Sequence, residues 1–233
     1  MNDKRRIAII PARSGSKGVP DKNLQKINGI SLLTRAVQCA LEVKLFERIF
    51  VSTDSENYAK EAADLGVETP WLRPPELASD TALVADAIRH TLETFKARGE
   101  AFDTLCLLEP SSPMRTPEIV RQTIIAAETN GYDAAFTVSP VPVSYHPLKQ
   151  FDIDQSGAAR FVMSKASANV NRQSLKPTYI RNGLAYAVSL EAFLAQNSIH
   201  GTRAKAIVVD EAVVSIDNLC DFERAEQLLS AKP

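Results

Sequence analysis

Between Pro11 and Asn23 the chain gathers Arg13, Lys17 and Lys22 around Ser14, Gly15, Ser16 and Gly18. Three cations and two glycines in so short a span, directly after the apolar run Ile7-Ala-Ile-Ile10, suit the capture of a polyphosphate. Glycine can take positive φ and lets main-chain N–H groups converge on an anion with no Cβ in the way, while the cations supply countercharge. A nucleoside triphosphate needs both. The loop is neither G-x-x-x-x-G-K-[ST] nor G-x-G-x-x-G, so it is not a P-loop or a dinucleotide fingerprint. The competing reading is an ordinary strand-to-helix turn with solvated lysines, which rarely concentrates charge and glycine in this way.

Other chemistries find little support. Cys39, Cys106 and Cys220 are far apart with no C-x-x-C spacing, which suits small buried hydrophobes rather than disulfides or zinc. His90, His146 and His200 are equally scattered, and no G-x-S-x-G elbow marks a hydrolase. A formal net charge of −1 argues against a nucleic-acid binder and leaves the basic residues to act locally. No apolar run reaches membrane-spanning length, and the one after the basic start is too short for a signal peptide, so a cytoplasmic protein is expected.

The elements around the loop follow a strand–helix rhythm. Ser31 caps a helix with Leu32, Leu33, Ala36, Val37, Ala40 and Leu41 on its apolar face, and Arg48 to Ser52 is a short buried strand ending at Thr53-Asp54. Ser55 opens a helix that Gly66 stops, Val67 to Leu72 reads as another strand, and Thr81 to Arg98 as a long amphipathic helix. Thr104 to Leu108 is a central strand, Thr116 caps the next helix with Pro117 at its first position, and Asp133 to Val138 is a further strand. The core returns with Gly183 to Ser189, Ala204 to Val209, and a final helix with Leu219, Phe222, Ala225, Leu228 and Leu229 on one face. This order predicts one α/β domain over 1–233, three layers deep, with a mostly parallel sheet and helices on both faces. Ligands in such sheets sit beyond the carboxyl ends of the strands, where Arg13 to Asn23, Asp54, Arg73 and Glu109 to Arg115 all fall.

From about 139 to 178 the rhythm breaks, bounded by Pro140, Pro142, Pro147 and Pro177. A structureless loop of that length is unusual in a compact domain. Phe151, Phe161, Val162 and Met163 look for a partner surface, so the stretch is read as a dimerisation excursion; a surface insertion without a partner is the alternative.

The segment Ile10-Pro-Ala-Arg-Ser-Gly-Ser-Lys-Gly-Val-Pro-Asp-Lys-Asn23 resembles the opening motif of the CMP-sialic acid synthetases, the N-acylneuraminate cytidylyltransferases. Val51-Ser-Thr-Asp54, Arg73-Pro-Pro-Glu-Leu-Ala-Ser-Asp80, Leu107-Leu-Glu-Pro-Ser-Ser-Pro-Met-Arg115 and Arg181-Asn-Gly183 follow in that family's order, so the resemblance runs nearly end to end. It implies a sheet of the nucleotide-diphospho-sugar transferase type and the transfer of CMP from CTP to a nonulosonic (sialic-type) acid, with release of pyrophosphate. Arg13, Lys17 and Lys22 would stabilise the leaving group catalytically. Ala12, Arg13, Ser14, Gly15, Asn23, Arg73 and Asp80 would hold the nucleotide, Asn23 at the cytosine edge. Glu109, Ser111, Arg172, Gln173, Tyr179 and Arg181 would hold the sugar acid, with Arg172 first and Arg181 second as carboxylate clamps; either arginine could instead form an interface salt bridge.

The resemblance also implies Mg²⁺, with Asp217 as its ligand. Two positions depart from the family pattern. Ser215 stands where the first of two aspartates is usual, Glu211 could compensate only if the backbone allows it, and Asp217 could instead cap the last helix. Glu109 stands where glutamine is common; as an acceptor it favours hydroxyl or ammonium donors, unless it simply pairs with Arg115. Two readings compete with a homodimeric cytidylyltransferase: a nucleotidylyltransferase for another acid sugar or nucleotide, and a nucleotide-binding paralogue without turnover.

Overall fold

Arg6–Pro11 forms β1, in which Ile7, Ala8, Ile9 and Ile10 are all buried, as a continuous apolar run covered on both faces requires. The computed structural model describes residues 4–16, 18–163 and 175–231. After the loop and a 3-10 turn over Lys22–Leu24, β2 (Lys26–Ile27) and β3 (Ile30–Ser31) make a small hairpin. Its turn residues Asn28 and Gly29 both have positive φ, 50° and 78°, which the Asn-Gly pair accepts at little cost.

Ser31 then caps α1 (Leu32–Val43), its hydroxyl accepting from Thr34 N at 2.8 Å. β4 (Arg48–Ser52) leads to α2 (Glu56–Asp64), and Gly66 at φ +81° follows that helix's end. α3 (Val84–Ala97) starts without a side-chain cap, a deficit of about 1 kcal/mol. Burial of Ile88, Leu92 and Phe95 at about 2 kcal/mol each outweighs it. β5 (Thr104–Leu107) and α4 (Pro117–Ala127) follow, the latter capped by Thr116 with Pro117 at its start.

β6 (Ala134–Pro140) leads into the excursion, where β7 (Phe151–Ile153) and β8 (Ala159–Phe161) pair as a ribbon. Its rings Phe151 and Phe161 lie 4.4 Å apart, and Phe151, Ile153, Val162 and Met163 are exposed. At the base of the excursion His146 is buried, accepting from Leu148 N through Nδ1 and meeting Lys176 O through Nε2. The chain returns as β9 (Tyr179–Ser189), α5 (Leu190–Gln196), β10 (Ala204–Val208) and α6 (Leu219–Ser230).

The main sheet has the order β10-β6-β9-β5-β1-β4. Ala8, Ile10, Val51, Cys106, Ala185 and Ala187 face α1, α2 and α4, while Ile7, Ile9, Phe50, Leu105, Leu107 and Val188 face α3 and α5. This is the expected three-layer α/β arrangement. Among the described residues no helix is long and apolar enough to cross a membrane.

Within the mostly parallel sheet one strand direction stands out, and two local expectations are corrected. β9 runs antiparallel to both neighbours, because the excursion leaves and re-enters at the same end of the sheet, where Val141 N donates to Thr178 O at 2.9 Å. Val67 to Leu72 joins no sheet: Pro70 lacks a donor, and Trp71 anchors the passage by packing on Phe50 and Phe95, 4.7 and 4.8 Å away. Leu219 is 69% exposed, because the first turn of α6 projects beyond the surface that Phe222, Ala225, Leu228 and Leu229 cover.

Arg6 and Glu128 form a well-shielded pair at 2.8 Å, and Thr104 Oγ1 also donates to Glu128, joining β1, β5 and the end of α4. Burial resists charge on Glu128, but the hydrogen bonds from Arg6 and Thr104 outweigh it and hold this carboxyl below the usual carboxylate range. The folded state therefore binds this proton less readily than the unfolded chain, so the pair's stabilisation is complete above the unfolded carboxylate pKa and is lost as pH falls through the folded value. Glu128→Gln is expected to cost about 2 kcal/mol at neutral pH and to flatten the acid limb of stability against pH in urea titrations; an unaltered acid limb would contradict this account.

Candidate active site

The loops after β1, β4 and β5 meet at the carboxyl ends of those parallel strands, beside a bulge in β9. Ala12 extends β1 by donating to Ser52 O at 2.9 Å. Both donors of Ser14, N and Oγ, go to Asp54 at 2.9 and 2.7 Å, so this serine pins the loop to the end of β4. Arg13 pairs with Asp80 at 3.0 Å and donates to Ala78 O, joining the loop to the 3-10 turn Pro75–Ala78. Asn23 is buried and gives its amide N–H to Arg13 O at 3.2 Å.

Gly15 does not take positive φ. Gly18 is needed for closeness: a Cβ there would lie 2.5 Å from Asp217 O. Lys22 reinforces the same junction, its Nζ donating to Ile216 O at 2.6 Å and standing 3.5 Å from Asp217 Oδ1. Arg73 is buried and donates to Ser52 Oγ and Ser52 O at 3.1 and 2.5 Å. Burial pushes its pKa down to about 10, with Asp54 opposing that shift and Arg13 adding to it, and the group stays cationic at neutral pH.

Two clefts border these cations. One of about 210 Å³ is lined by Arg13, Lys22, Asn23, Arg73, Glu109 and Ser111, among others. The adjoining one, about 370 Å³, holds Ser14, Gly15, Asp54 and Arg73. A third cavity of about 500 Å³ lies on the opposite side of Glu109, lined by Ser139, Arg181, Asn182, Gly183, Tyr186 and Ser215.

The β9 bulge shapes that third cavity. Pairing shifts register between Phe136 opposite Tyr186 and Val138 opposite Arg181. Gly183, at φ +74°, sits where a Cβ would lie 2.6 Å from Ser112 Oγ and 3.3 Å from Glu109 Oε2. Asn182 braces the bulge by donating to Ser139 Oγ at 3.0 Å. Arg181 Nη1 donates to His200 Nε2 at 2.7 Å, which fixes His200 as an acceptor there. Partial burial and the Arg181 charge both hold the imidazole below its usual pKa.

Arg115 does not pair with the Glu109 side chain. Its buried guanidinium donates to the main-chain carbonyls of Leu184, Glu109 and Gly183, the latter two at 2.6 and 3.3 Å. The Glu109 carboxylate accepts no hydrogen bond among the described residues. Partial burial raises its pKa; Arg115, Arg181 and Lys22 oppose the rise and Asp217 adds to it.

The structure thus gathers Arg13, Ser14, Gly15, Lys22, Asn23, Arg73, Glu109, Ser111 and Arg181 about adjoining cavities, with Asp80 paired to Arg13, whereas Ala12 is fully buried and lines none of them. Tyr179 is exposed at the start of β9 and lines none of these three cavities. Lys17, Arg172 and Gln173 lie outside the described residues. Asp217 is not the cap of α6: Asn218 is, in a capping box with Asp221. Glu211 lines a separate pocket with Met114, Leu184 and Val209, whereas Ser215 lines the Arg181 cavity. Sequence reasoning passed over His200, whose bond to Arg181 spans nineteen residues with no local pattern to announce it.

Among the described residues no three carboxylate, histidine or cysteine side chains converge as a metal site. Mg²⁺ asks for less, since it commonly keeps several waters and takes one or two carboxylates with substrate phosphates. The exposed Asp217 carboxylate beside Lys22 fits that donor set.

Clefts rich in cations, opening at strand ends onto a second polar cavity, have the layout of a nucleotidyltransferase that joins an anionic nucleotide to another substrate. A model of the cytidylyltransferase family matches residues 7–232. Over 231 residues the chain is 32% identical to the CMP-N,N'-diacetyllegionaminic acid synthase of Legionella pneumophila, covering 97% of this chain and 96% of that one. It is 30% identical to the N-acylneuraminate cytidylyltransferase of Escherichia coli, covering 94% of this chain and 51% of that protein. In fold it is similar to a CMP:2-keto-3-deoxy-manno-octonic acid synthetase complexed with CTP, with TM-score 0.70, 16% identity and coverage of 98% and 100%. The chain belongs to the cytidylyltransferase family.

Gly183→Ala tests the bulge. Positive φ and the contacts with Ser112 and Glu109 are expected to cost about 2 kcal/mol, read as a lowered urea midpoint. A wild-type midpoint would show that the bulge relaxes freely.

Proposed function

We propose that this protein transfers the cytidylyl group of CTP to the anomeric hydroxyl of a nonulosonic acid, releasing pyrophosphate, with Mg²⁺ and as a homodimer in the cytoplasm. The observation that carries the reading is the meeting of the cation-lined clefts and the Arg181 cavity at Glu109. The near full-length match to a CMP-N,N'-diacetyllegionaminic acid synthase supports this choice of substrates.

The triphosphate lies along Arg13, Lys22 and Arg73, with Lys17 in the same loop. Attack on the α-phosphorus breaks the α–β anhydride, and preorganised cations stabilise the charge growing on pyrophosphate. Arg13 and Lys22 are held in place before substrate arrives, by Asp80 and by the Ile216 carbonyl, so little reorganisation is needed. Asn23, fixed to the loop carbonyl, keeps its amide oxygen for the base. Arg181 receives the sugar carboxylate from the position His200 sets, together with Arg172. Asp217 would hold Mg²⁺, which supplies charge neutralisation on the triphosphate.

The exposed apolar ribbon of β7 and β8 supports the dimer. An isolated two-stranded ribbon is marginal in water, and a second copy covering Phe151, Ile153, Val162 and Met163 would stabilise it. Ser215 and the lone Asp217 favour a second reading, a nucleotide-binding paralogue without turnover.

Pyrophosphate release with each of the four NTPs, Mg²⁺ and a panel of nonulosonic acids separates the two. Release with CTP and at least one acid is expected, with Asp217→Asn requiring more Mg²⁺; CTP binding without release under any condition would favour the paralogue. Ile153→Asp is expected to sediment as a monomer where the wild type sediments as a dimer, and identical sedimentation would remove the ribbon from the interface.

A further inference from the structure

Among the described residues, Glu109 alone lines both the cation-rich cleft and the Arg181 cavity. In the proposed transfer, on which this inference rests, the new bond forms where those spaces meet. The other polar residues around both spaces are Arg13, Ser16, Lys22, Asn23, Arg73 and Ser111 on one side, and Ser139, Arg181, Asn182, Tyr186 and Ser215 on the other. None of these is a carboxylate or an imidazole. A hydroxyl attacking the α-phosphorus must lose its proton, and among the described residues lining these two spaces Glu109 is the one carboxylate able to take it.

We propose that Glu109 is the general base of the transfer. Its carboxylate takes the proton of the sugar's anomeric hydroxyl as that oxygen bonds to the α-phosphorus. The bond between the α-phosphorus and the bridging oxygen breaks, and its electron pair leaves on pyrophosphate. The proton then passes from Glu109 to solvent or to pyrophosphate as the products leave.

The surroundings prepare the carboxylate for this. Its cationic neighbours are engaged elsewhere: Arg115 on main-chain carbonyls, Lys22 on Ile216 O and Asp217, Arg181 on His200. The Arg115 bond to the Glu109 carbonyl fixes the backbone while leaving the side chain without a hydrogen-bond partner among the described residues. Gly183 provides clearance beside Oε2. The groups acting on it are Arg115, Arg181, Lys22 and Asp217, with Tyr186 in the same cavity. Partial burial moves its pKa towards the operating range, which makes it a better proton acceptor than an ordinary surface glutamate.

The test compares wild type, Glu109→Gln and Glu109→Ala, each checked for native circular dichroism, with CTP, Mg²⁺ and whichever nonulosonic acid the wild type turns over. Glu109→Gln is expected to lower kcat about 10²- to 10⁴-fold with an unchanged CTP dissociation constant, and to lose the acidic limb of kcat/KM against pH. Added formate is expected to restore part of the rate of Glu109→Ala. A kcat within threefold of wild type for Glu109→Gln, or a change confined to the KM of the sugar acid, would overturn the base and make Glu109 a hydroxyl-binding group. A wild type that releases no pyrophosphate with any acid overturns the transferase reading as well, whereas an active wild type with an active Glu109→Gln overturns this inference alone.

Discussion

The site depends on a buried cation whose donors, among the described residues, go to main-chain carbonyls rather than to a carboxylate. Arg115 is 8% exposed, and burial lowers its pKa from the usual arginine value. Taking such a group out of water costs several kcal/mol unless its donors are satisfied. Here main-chain carbonyls of Leu184, Glu109 and Gly183 do that. The loop after β5 is thereby tied to the bulge of β9, and the spacing between the cation-lined clefts and the Arg181 cavity is set by one planar side chain. Had Arg115 paired with the Glu109 carboxylate instead, the junction would hold a closed ion pair with no acceptor facing substrate.

A similar economy governs the cations that face solvent. Arg13 rests on Asp80 and Lys22 on Asp217 and a carbonyl, so each is positioned and partly neutralised before an anion arrives. Pairs as exposed as Arg13–Asp80 contribute about 1 kcal/mol at most, so they position the cation without locking it. Arg73 differs. Its burial and its two bonds to Ser52 make it a fixed wall of the cleft rather than an arm that swings.

Much of the fold was legible because local rules and burial agreed. The run Ile7 to Ile10 had no plausible place except between two helical layers, and Ser31, Thr116 and Pro117 announced their helix starts in side-chain chemistry. What stayed hidden depended on partners distant in the chain. The direction of β9 follows from where the excursion returns, and Val67 to Leu72 was drawn out of the sheet by Trp71 packing on Phe50 and Phe95. Within the site, Arg13, Lys22, Asn23, Arg73 and Glu109 converge as their motifs suggested. The nearness of Gly18 to Asp217, and the bond from Arg181 to His200, had no local signature.

That nearness has a consequence for how the molecule comes into being. Lys22 reaches the Ile216 carbonyl across 194 residues, and Gly18 lies against the carbonyl of Asp217. On a ribosome, the loop after β1 emerges 194 residues ahead of Ile216, and its cleft cannot close until that later segment has followed. Contacts so distant in sequence are slow to form, because a long loop must be closed before they return any stabilisation. A nascent chain can build β1, β4 and β5 with their covering helices well before then, yet it holds no finished cleft until the segment leading into α6 has been made.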